Sequence, residues 1–370
     1  MSQRVQFVAE VADGVFSMTE LCHRYGISRK TGYKWCDRGG ELRDRSRRPR
    51  KPRTTAPGTM ARIIALRRQY GWGPRKLRRL LLTAGVAPVP ARATIALILK
   101  REGLIARRAR RPPRQAAPAA HTAMAAPNVV WTADFKGEFR TGDGAWCYPL
   151  TVVDGFSRYL LTCTGLARPR TTPTRRVFER VFRTYGLPQV VRTDNGEPFA
   201  SAITIGRLSR LSVWWIRLGI HVEHIAPGRP DQNGRHERFH RTLLEATLHP
   251  QAARDGTAQQ RRFRAYRRLY NEVRPHESLN DQTPAALYRP SPRPFPTRVP
   301  FLEYSAAHVV RRVGPSGSFM WHQHHVPLSR VLTGEDVGLL PIGDGRWTVY
   351  FGSFRLGQFD ERLRRIQTAT

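Results

Sequence analysis

The chain has 370 residues and a mass of 42.2 kDa, which is too long for one ordinary core and predicts about two to four domains. Its 63 Lys and Arg residues against 28 Asp and Glu give a net charge of +35, so a polyanionic partner, nucleic acid above all, is expected. No apolar run approaches the length of a membrane span, and acids in the first 16 residues argue against a signal peptide, so the expected location is the cytoplasm, with no membrane contact.

The four cysteines show no pairing pattern. Cys22, Cys36, Cys147 and Cys163 form no C-x-x-C pair and have no zinc-ligand spacing. They are therefore expected to be reduced thiols inside protein cores.

Residues 1–42 carry the pattern of a helix-turn-helix DNA-binding domain. Ser17 is placed to cap one short helix, Gly26 to form the turn, and Ser28 to cap a second helix, RKTGYKWC. The alternative is a helical hairpin whose charges are only solvated. In the DNA-binding interpretation, the side chains facing the major groove or its phosphates are Arg29, Lys30, Thr31, Tyr33 and Lys34.

A basic linker at 43–56 is followed by a second predicted helix-turn-helix domain at 57–111. Arg92, Thr94 and Lys100, on its third helix, are expected near DNA. Residues 112–127, rich in Ala and Pro, are predicted to link this domain to the next. The predicted core of the second domain is Leu77, Leu80, Leu81, Ile95, Leu97, Ile98 and Leu104.

Residues 128–290 alternate between strand and helix patterns. Three strand patterns joined by short turns come first, and helices and strands then follow in turn. This order predicts an α/β domain with a mixed five-stranded sheet and helices on its faces. The strands are expected at 129–140, 146–153, 159–166, 189–193 and 221–225, and the helices at 174–185, 235–248 and 261–272.

The last part of the chain has a different pattern. Residues 291–300 read as a Pro-rich linker, and residues 301–370 contain short alternating apolar runs punctuated by Gly. Such runs predict a small β-barrel as the C-terminal domain.

Three acids in the central domain come from separate predicted elements. Asp134 lies inside the first strand, Asp194 ends a later strand in the sequence RTDNGEPF, and Glu237 lies in the first turns of a helix. Strand ends and helix starts hold side chains rigidly, and carboxylate oxygens are the ligands that hard divalent cations prefer. These acids therefore predict a metal site.

Five segments in this order resemble the catalytic core of insertion-sequence transposases of the DDE integrase superfamily, relatives of the retroviral integrases: WTADFKG, VVDGFSRYLL, RTDNGEPF, PGRPDQNGRHERFHRTL and YNEVRPHESLNDQTPAALY. The resemblance covers about residues 128–288 and implies a ribonuclease-H-like fold. One departure is that 42 residues separate Asp194 from Glu237, more than in many relatives. The extra residues are expected at 201–215, as an enlarged helix or a loop before it.

The resemblance implies a bacterial transposase that cuts and joins DNA strands with Mg²⁺. Two ions are expected, with Asp134 bridging both while Asp194 and Glu237 each hold one, and Mn²⁺ is expected to substitute. Double-stranded DNA, as terminal repeats and target, and further copies of the chain are the implied partners. Asp154 is not part of this triad and is expected to have a structural role with Ser157 or Arg158. Residues expected to contact DNA beside the site are Arg229, Gln232, Asn233, Arg235, Arg238, His240 and Arg241.

Other functions fit parts of the sequence. His236, Glu237 and His240 satisfy H-E-x-x-H, the zinc-protease pattern, but that reading leaves Asp134, Asp194 and the net charge unexplained. A catalytically silent DNA-binding protein derived from a transposase is the main alternative. A nuclease that hydrolyses without joining would use the same metals.

Overall fold

The computed structural model describes residues 2–39, 42–43, 54–105, 121–225, 234–249 and 251–368. By its internal contacts the chain divides into two compact units, residues 1–60 and 61–370. Most of the predicted basic linker lies outside the described residues. Within the described part, no helix is both long enough and apolar enough to cross a bilayer.

The first unit contains three short helices, α1 (Gln3–Ala12), α2 (Met18–Arg24) and α3 (Arg29–Cys36). The side chains of Ser17 and Ser28 cap α2 and α3 as predicted, because each accepts a hydrogen bond from a backbone N–H in the first turn of its helix. Phe7 is fully buried between the helices and meets the Trp35 ring edge to face, with ring centroids 5.5 Å apart.

Three further helices follow, α4 (Pro57–Tyr70), α5 (Pro74–Thr83) and α6 (Arg92–Arg101). Most of the predicted core is buried or half-buried, but Leu97 is 54% exposed. Leu99, two residues further along α6, is fully buried instead. The prediction for Leu97 was wrong because a 3.6-residue period leaves only part of a helix facing the core.

The central sheet contains β1 (Val130–Phe135), β2 (Phe139–Arg140), β3 (Trp146–Asp154), β4 (Leu160–Leu166), β5 (Val190–Thr193) and β6 (His221–His224). The hydrogen-bonded order is β2-β3-β1-β5-β6, with β4 on β3. β3 runs antiparallel to β1 and β4, whereas β5 runs parallel to β1 and β6. The sheet is therefore mixed, as predicted, but it has six strands, because the predicted strand 129–140 divides at Gly137, which has a φ of 44°.

Helices cover both faces of this sheet. α7 (Thr171–Tyr185) and α8 (Arg210–Arg217) pack on one face around Trp131, Phe178 and Trp215, all fully buried. α9 (Gly234–Thr247) and α10 (Gly256–Arg268) pack on the other face, where Phe239 and Tyr270 meet residues of β3 and β4. Side chains alternate between the faces of a strand, so each strand contributes to both cores. α10 continues into a π-helical turn, Leu269–Val273, and α11 (Pro284–Leu287) follows.

The segment 201–215 is a loop before a helix rather than one enlarged helix. The loop contains a 3₁₀ turn, Ile205–Arg207, and Ser209 then caps α8 with a capping box to Ser212. An isolated bridge between Ala200 and Leu208 closes the loop at its base.

The C-terminal strands do not form the predicted barrel. In the described residues they form an open sheet in the order β13-β12-β11-β10-β7 and a separate hairpin of β8 with β9, so no hydrogen bonds close a ring. One face of the sheet is covered by the central domain instead, because the two share a single buried apolar cluster. The strands are β7 (Val309–Arg312), β8 (Ser318–Trp321), β9 (His324–Pro327), β10 (Asp336–Gly343), β11 (Arg346–Phe351), β12 (Phe354–Asp360) and β13 (Arg365–Thr368).

The Pro-rich segment at 291–300, predicted as a linker, is packed against the central domain. The Arg293 guanidinium donates to the carbonyl oxygens of Pro188 at 2.7 Å and Gly219 at 2.9 Å. Phe295 packs against Phe182, with ring centroids 6.0 Å apart. The segment is therefore part of the folded body.

Candidate functional site

Two of the predicted acids lie side by side at one edge of the sheet. β1 and β5 are parallel and in register, with Ala133 paired to Thr193. Asp134 lies in β1 one residue after Ala133, and Asp194 is the first residue after β5, so the two acids follow a paired position on neighbouring strands. The Asp134 side chain lies on the α9 face, because Trp131 and Ala133 face the opposite core and His240 on α9 contacts Asp134.

Asp134 is held against α9 through His240. Its side chain is 16% exposed, and its Oδ2 lies 3.7 Å from His240 Nδ1. Thr151, opposite Asp134 on β3, donates its hydroxyl hydrogen to the Asp134 carbonyl oxygen at 3.1 Å. The same hydroxyl lies 2.8 Å from His240 Nε2, which makes it the acceptor of the imidazole N–H. This network fixes the distance between β1, β3 and α9.

His240 therefore lies at the site in a role that the sequence did not predict, between Asp134 and Thr151. It is 2% exposed, so the expectation that it contacts DNA was wrong. Both ring nitrogens face protein oxygens, which also argues against a zinc-protease site using His240. The signal available in the sequence was only the position of His240, one helical turn after Glu237.

Asp194 lies in a tight turn after β5. Its Oδ1 accepts from the Gly196 backbone N–H at 3.3 Å, and a Cβ at Gly196 would lie 3.2 Å from Asp194 Oδ2. The Asn195 side chain donates to the Ile225 carbonyl oxygen at 2.7 Å and accepts from Arg207 at 3.0 Å. The Asn-Gly pair thus fixes the loop that carries Asp194.

Burial raises the pKa of Asp194 above its ordinary value, against the opposing hydrogen bond from Gly196. Among the described side chains, none with a positive charge forms an ion pair with Asp194 at 4.0 Å or less. A half-buried carboxylate of this kind is stabilised by a bound cation. The pair of Asp134 and Asp194 therefore fits hard divalent metal ions such as Mg²⁺.

Glu237 lies on α9, one turn before His240, but its side chain is outside the described residues. No three His, Cys, Asp or Glu side chains converge among those that are described. The structure thus brings Asp134 and Asp194 together, and the third predicted ligand is known only by its place on the helix. The predicted DNA contacts Arg229, Asn233, Arg235 and Arg238 likewise fall outside the described side chains, whereas Arg241 is exposed on α9.

Asp154 has the structural role expected from its sequence context. It is fully buried at the end of β3, and its Oδ1 accepts from the Asn128 backbone N–H at 2.7 Å. Its Oδ2 accepts from the backbone N–H of Ser157 at 2.8 Å and from the Ser157 hydroxyl at 2.6 Å. Asp154 therefore closes the turn between β3 and β4.

The predicted DNA-contact residues of the helical modules are mostly exposed. On α3 the side chains of Arg29, Lys30, Tyr33 and Lys34 face solvent, while Thr31 is half-buried and hydrogen-bonded to Ser28. On α6, Arg92 and Lys100 are exposed. Within each helical module, these exposed side chains are therefore accessible to a DNA duplex.

Comparison with protein families matches the regions singled out above. Residues 124–230 and 218–284 match two models of an integrase core domain. Residues 3–50 match a helix-turn-helix domain and residues 31–99 a homeodomain-like domain. The predicted helix-turn-helix and integrase-type regions are thereby confirmed.

Individual proteins show the same likeness. An uncharacterised 31.7 kDa protein of insertion element IS407 from Burkholderia multivorans is 29% identical over 231 residues, covering 61% of this chain and 78% of that protein. The Pol polyprotein of radiation murine leukemia virus (strain Kaplan) is 30% identical over 119 residues, covering 32% of this chain and 19% of the polyprotein. A chain of the simian T-cell lymphotropic virus intasome, solved in complex with PP2A regulatory subunit B56 gamma, is 17% identical and covers 83% of this chain and 98% of that chain. Its TM-score of 0.40 is too low to establish a common fold.

Proposed function

We propose that this chain, which carries the integrase core of the DDE insertion-sequence transposases, is a DNA transposase that binds terminal repeats and cuts and joins DNA strands there. The observation that supports this most is the pairing of Asp134 and Asp194 at one sheet edge. His240 supports it further, because it holds the helix that carries Glu237 against Asp134.

Asp134, Asp194 and Glu237 would hold two Mg²⁺ ions, or Mn²⁺ in their place. Bound there, the ions would activate an attacking water or 3′-hydroxyl and offset charge at the phosphodiester. Asp134 would serve both ions, while Asp194 and Glu237 would each hold one. Thr151 and His240 fix the Asp134 backbone and side chain, and Asn195 and Gly196 fix Asp194.

The helical modules would supply recognition rather than chemistry. Exposed cationic side chains on α3 and α6 would neutralise phosphates and read the terminal repeat. The family resemblance further implies that several copies assemble on paired DNA ends.

The test separates binding from chemistry on oligonucleotides that carry the inverted repeats expected on either side of the gene. Asp194→Asn and Glu237→Gln should abolish Mg²⁺-dependent cleavage and joining while leaving duplex affinity within a few-fold. Glu245→Gln is the matched control, because Glu245 is an exposed carboxylate further along α9.

Two results would contradict the proposal. A wild-type protein that binds the repeats but never cuts them with Mg²⁺ or Mn²⁺ would be a DNA-binding protein of transposase origin. A wild-type protein that cuts but never joins would be a nuclease.

A further inference from the structure

A cluster of cationic side chains lies where α5 meets the segment after α10. Arg75 on α5 donates to Asp281 Oδ1 at 2.8 Å and also pairs with Glu277. The next residue, Lys76, lies close enough to Arg274 and His276 for their charges to influence one another. We call Lys76, Arg274 and His276 the cationic cluster.

Two polar atoms of the cluster are buried without a partner. In the described part of the chain, neither Arg274 Nε nor His276 Nε2 has a hydrogen-bond partner. The His276 ring is hydrogen-bonded to the Tyr270 backbone, so Nε2 is the ring nitrogen that has no partner among the described residues. Buried nitrogen atoms are normally hydrogen-bonded, so these two atoms are places where a water molecule or a ligand atom would bind.

The charges of the cluster indicate whether a ligand there would be an anion or a cation. Burial and the nearby Arg274 lower the pKa of Lys76 to about 8, and burial, Arg274, Lys76 and Arg158 lower the pKa of His276 to about 3. Glu277 is the acid facing Lys76, but it already pairs with Arg75 and its side chain is 75% exposed. His276 is therefore neutral near pH 7, and the two cations, Lys76 and Arg274, destabilise one another until an anion offsets them.

Aromatic rings shape the cluster and connect it to the catalytic domain. The Arg274 guanidinium lies 5.7 Å from the Tyr270 ring centroid, and the His276 ring meets the same tyrosine edge to face at 4.7 Å. On its other side Tyr270 contacts Phe239, with ring centroids 5.1 Å apart. Phe239 precedes His240 on α9, so the cluster borders both the second helical module and the helix of Glu237.

We propose that Lys76, Arg274 and His276 form a binding site for one backbone phosphate of a DNA duplex. Lys76 Nζ and Arg274 Nε–H donate to the phosphate oxygens, and the buried nitrogens of Arg274 and His276 become accessible when these half-buried side chains turn toward the duplex. His276 takes one proton from solvent as the anion binds and donates from Nε2. The groups facing His276 in this step are Lys76 from α5, Arg158 from the turn after β3, and Arg274 and the Tyr270 backbone from its own segment. The choice of DNA as the polyanion rests on the proposed function.

The first experiment measures the site with inorganic phosphate alone, on full-length protein. In low-salt buffer without phosphate, Lys76→Met should melt at the same temperature as wild type or higher, since one of the mutually repelling charges is removed. Phosphate should raise the melting temperature of wild type more than chloride at equal ionic strength, and this difference should vanish in Lys76→Met. His276→Asn should lose the same phosphate response if Lys76→Met fails to fold.

The second experiment measures affinity for a terminal-repeat duplex as a function of salt. Lys76→Met should weaken binding several-fold and reduce the slope of log affinity against log salt by about 0.9, the value for one phosphate contact on duplex DNA. Arg268→Met is the control, because it removes one positive charge from a side chain that is 77% exposed.

Three outcomes overturn the inference. Lys76→Met that melts lower, with phosphate response and salt slope unchanged, makes the cluster a structural contact. Loss of the phosphate response with unchanged duplex affinity assigns the site to a free anion. An equal loss of slope in Arg268→Met makes the effect one of net charge. Neither experiment measures strand cleavage. A wild-type protein that fails to cut DNA would therefore contradict the proposed function without contradicting this phosphate site.

Discussion

Asp154→Asn tests whether the buried acid of the β3–β4 turn is structural rather than catalytic. The substitution keeps the shape of the side chain but replaces one carboxylate oxygen with an NH₂ group. If Oδ2 is the oxygen replaced, the backbone N–H and hydroxyl of Ser157 both lose their acceptor. The hydroxyl can rotate to accept from the new amide, which leaves about one buried N–H unpaired and costs roughly 1–3 kcal/mol.

A loss of about 2 kcal/mol corresponds to a melting temperature roughly 3 °C lower for a folded unit that spans residues 61–370. Thermal unfolding followed by tryptophan fluorescence measures it. Asp143→Asn is the control, because Asp143 accepts its hydrogen bonds in an exposed turn and should change the melting temperature little. Folded Asp154→Asn protein should cut terminal-repeat DNA at near the wild-type rate.

The direction in which pH changes this loss of stability also follows from the structure. Burial raises the pKa of Asp154 in the folded protein, against the opposing hydrogen bonds. The wild type therefore loses stability as pH rises from the unfolded to the folded pKa, and Asp154→Asn does not. The difference in unfolding free energy between wild type and Asp154→Asn should therefore become smaller as pH rises through that range. A variant as stable as wild type that cannot cut DNA would instead place Asp154 in the metal site.

Three further predictions address other parts of the chain. His240→Ala should slow Mg²⁺-dependent cleavage by about 10-fold or more and leave duplex affinity within a few-fold, because His240 positions Asp134; cleavage and gel-shift assays on one oligonucleotide distinguish the two, and equal losses would contradict this role. Arg293→Met should lower the free energy of unfolding by about 1–3 kcal/mol in denaturant titrations, because carbonyl oxygens at Pro188 and Gly219 lose their donor; an unchanged midpoint would show that the Pro-rich segment is loosely held. Deleting Met1–Arg53 should weaken binding to the terminal repeats and flatten its salt dependence, and an unaltered slope would remove this region from the DNA contact.

The predictable part of the site is the part encoded along single segments. Asp134 lies within a short strand, Asp194 directly follows one, and Ser17 and Ser28 each precede a helix, so local pattern was enough to assign these positions. The prediction that His240 contacts DNA was wrong because the role of His240 depends on how α9 packs against β3, where Thr151 is its hydrogen-bond partner. No pattern within α9 encodes that packing.

Composition misled where tertiary contacts decide the structure. A run rich in Pro predicts a linker, but Arg293 and Phe295 attach it to the central domain. Alternating apolar residues predicted strands beyond 301 correctly, yet alternation carries no information on whether a sheet closes on itself. Here a neighbouring domain covers the apolar face, so closure is unnecessary.

The way the last sheet sits on its neighbour sets a lower limit on any shortened form of the protein. Phe354 packs on Gly206, whose Cβ, if present, would lie 2.6 Å from the ring, and Arg217 pairs with Glu335 at 3.3 Å. Ending the chain at Pro300 would strip the cover from this region and leave Leu208 and Trp215, both fully buried in the intact protein, beside a newly wetted surface. Such a fragment should aggregate during purification. A shortened protein that keeps the central domain must therefore be made by removing residues from the N-terminal end instead.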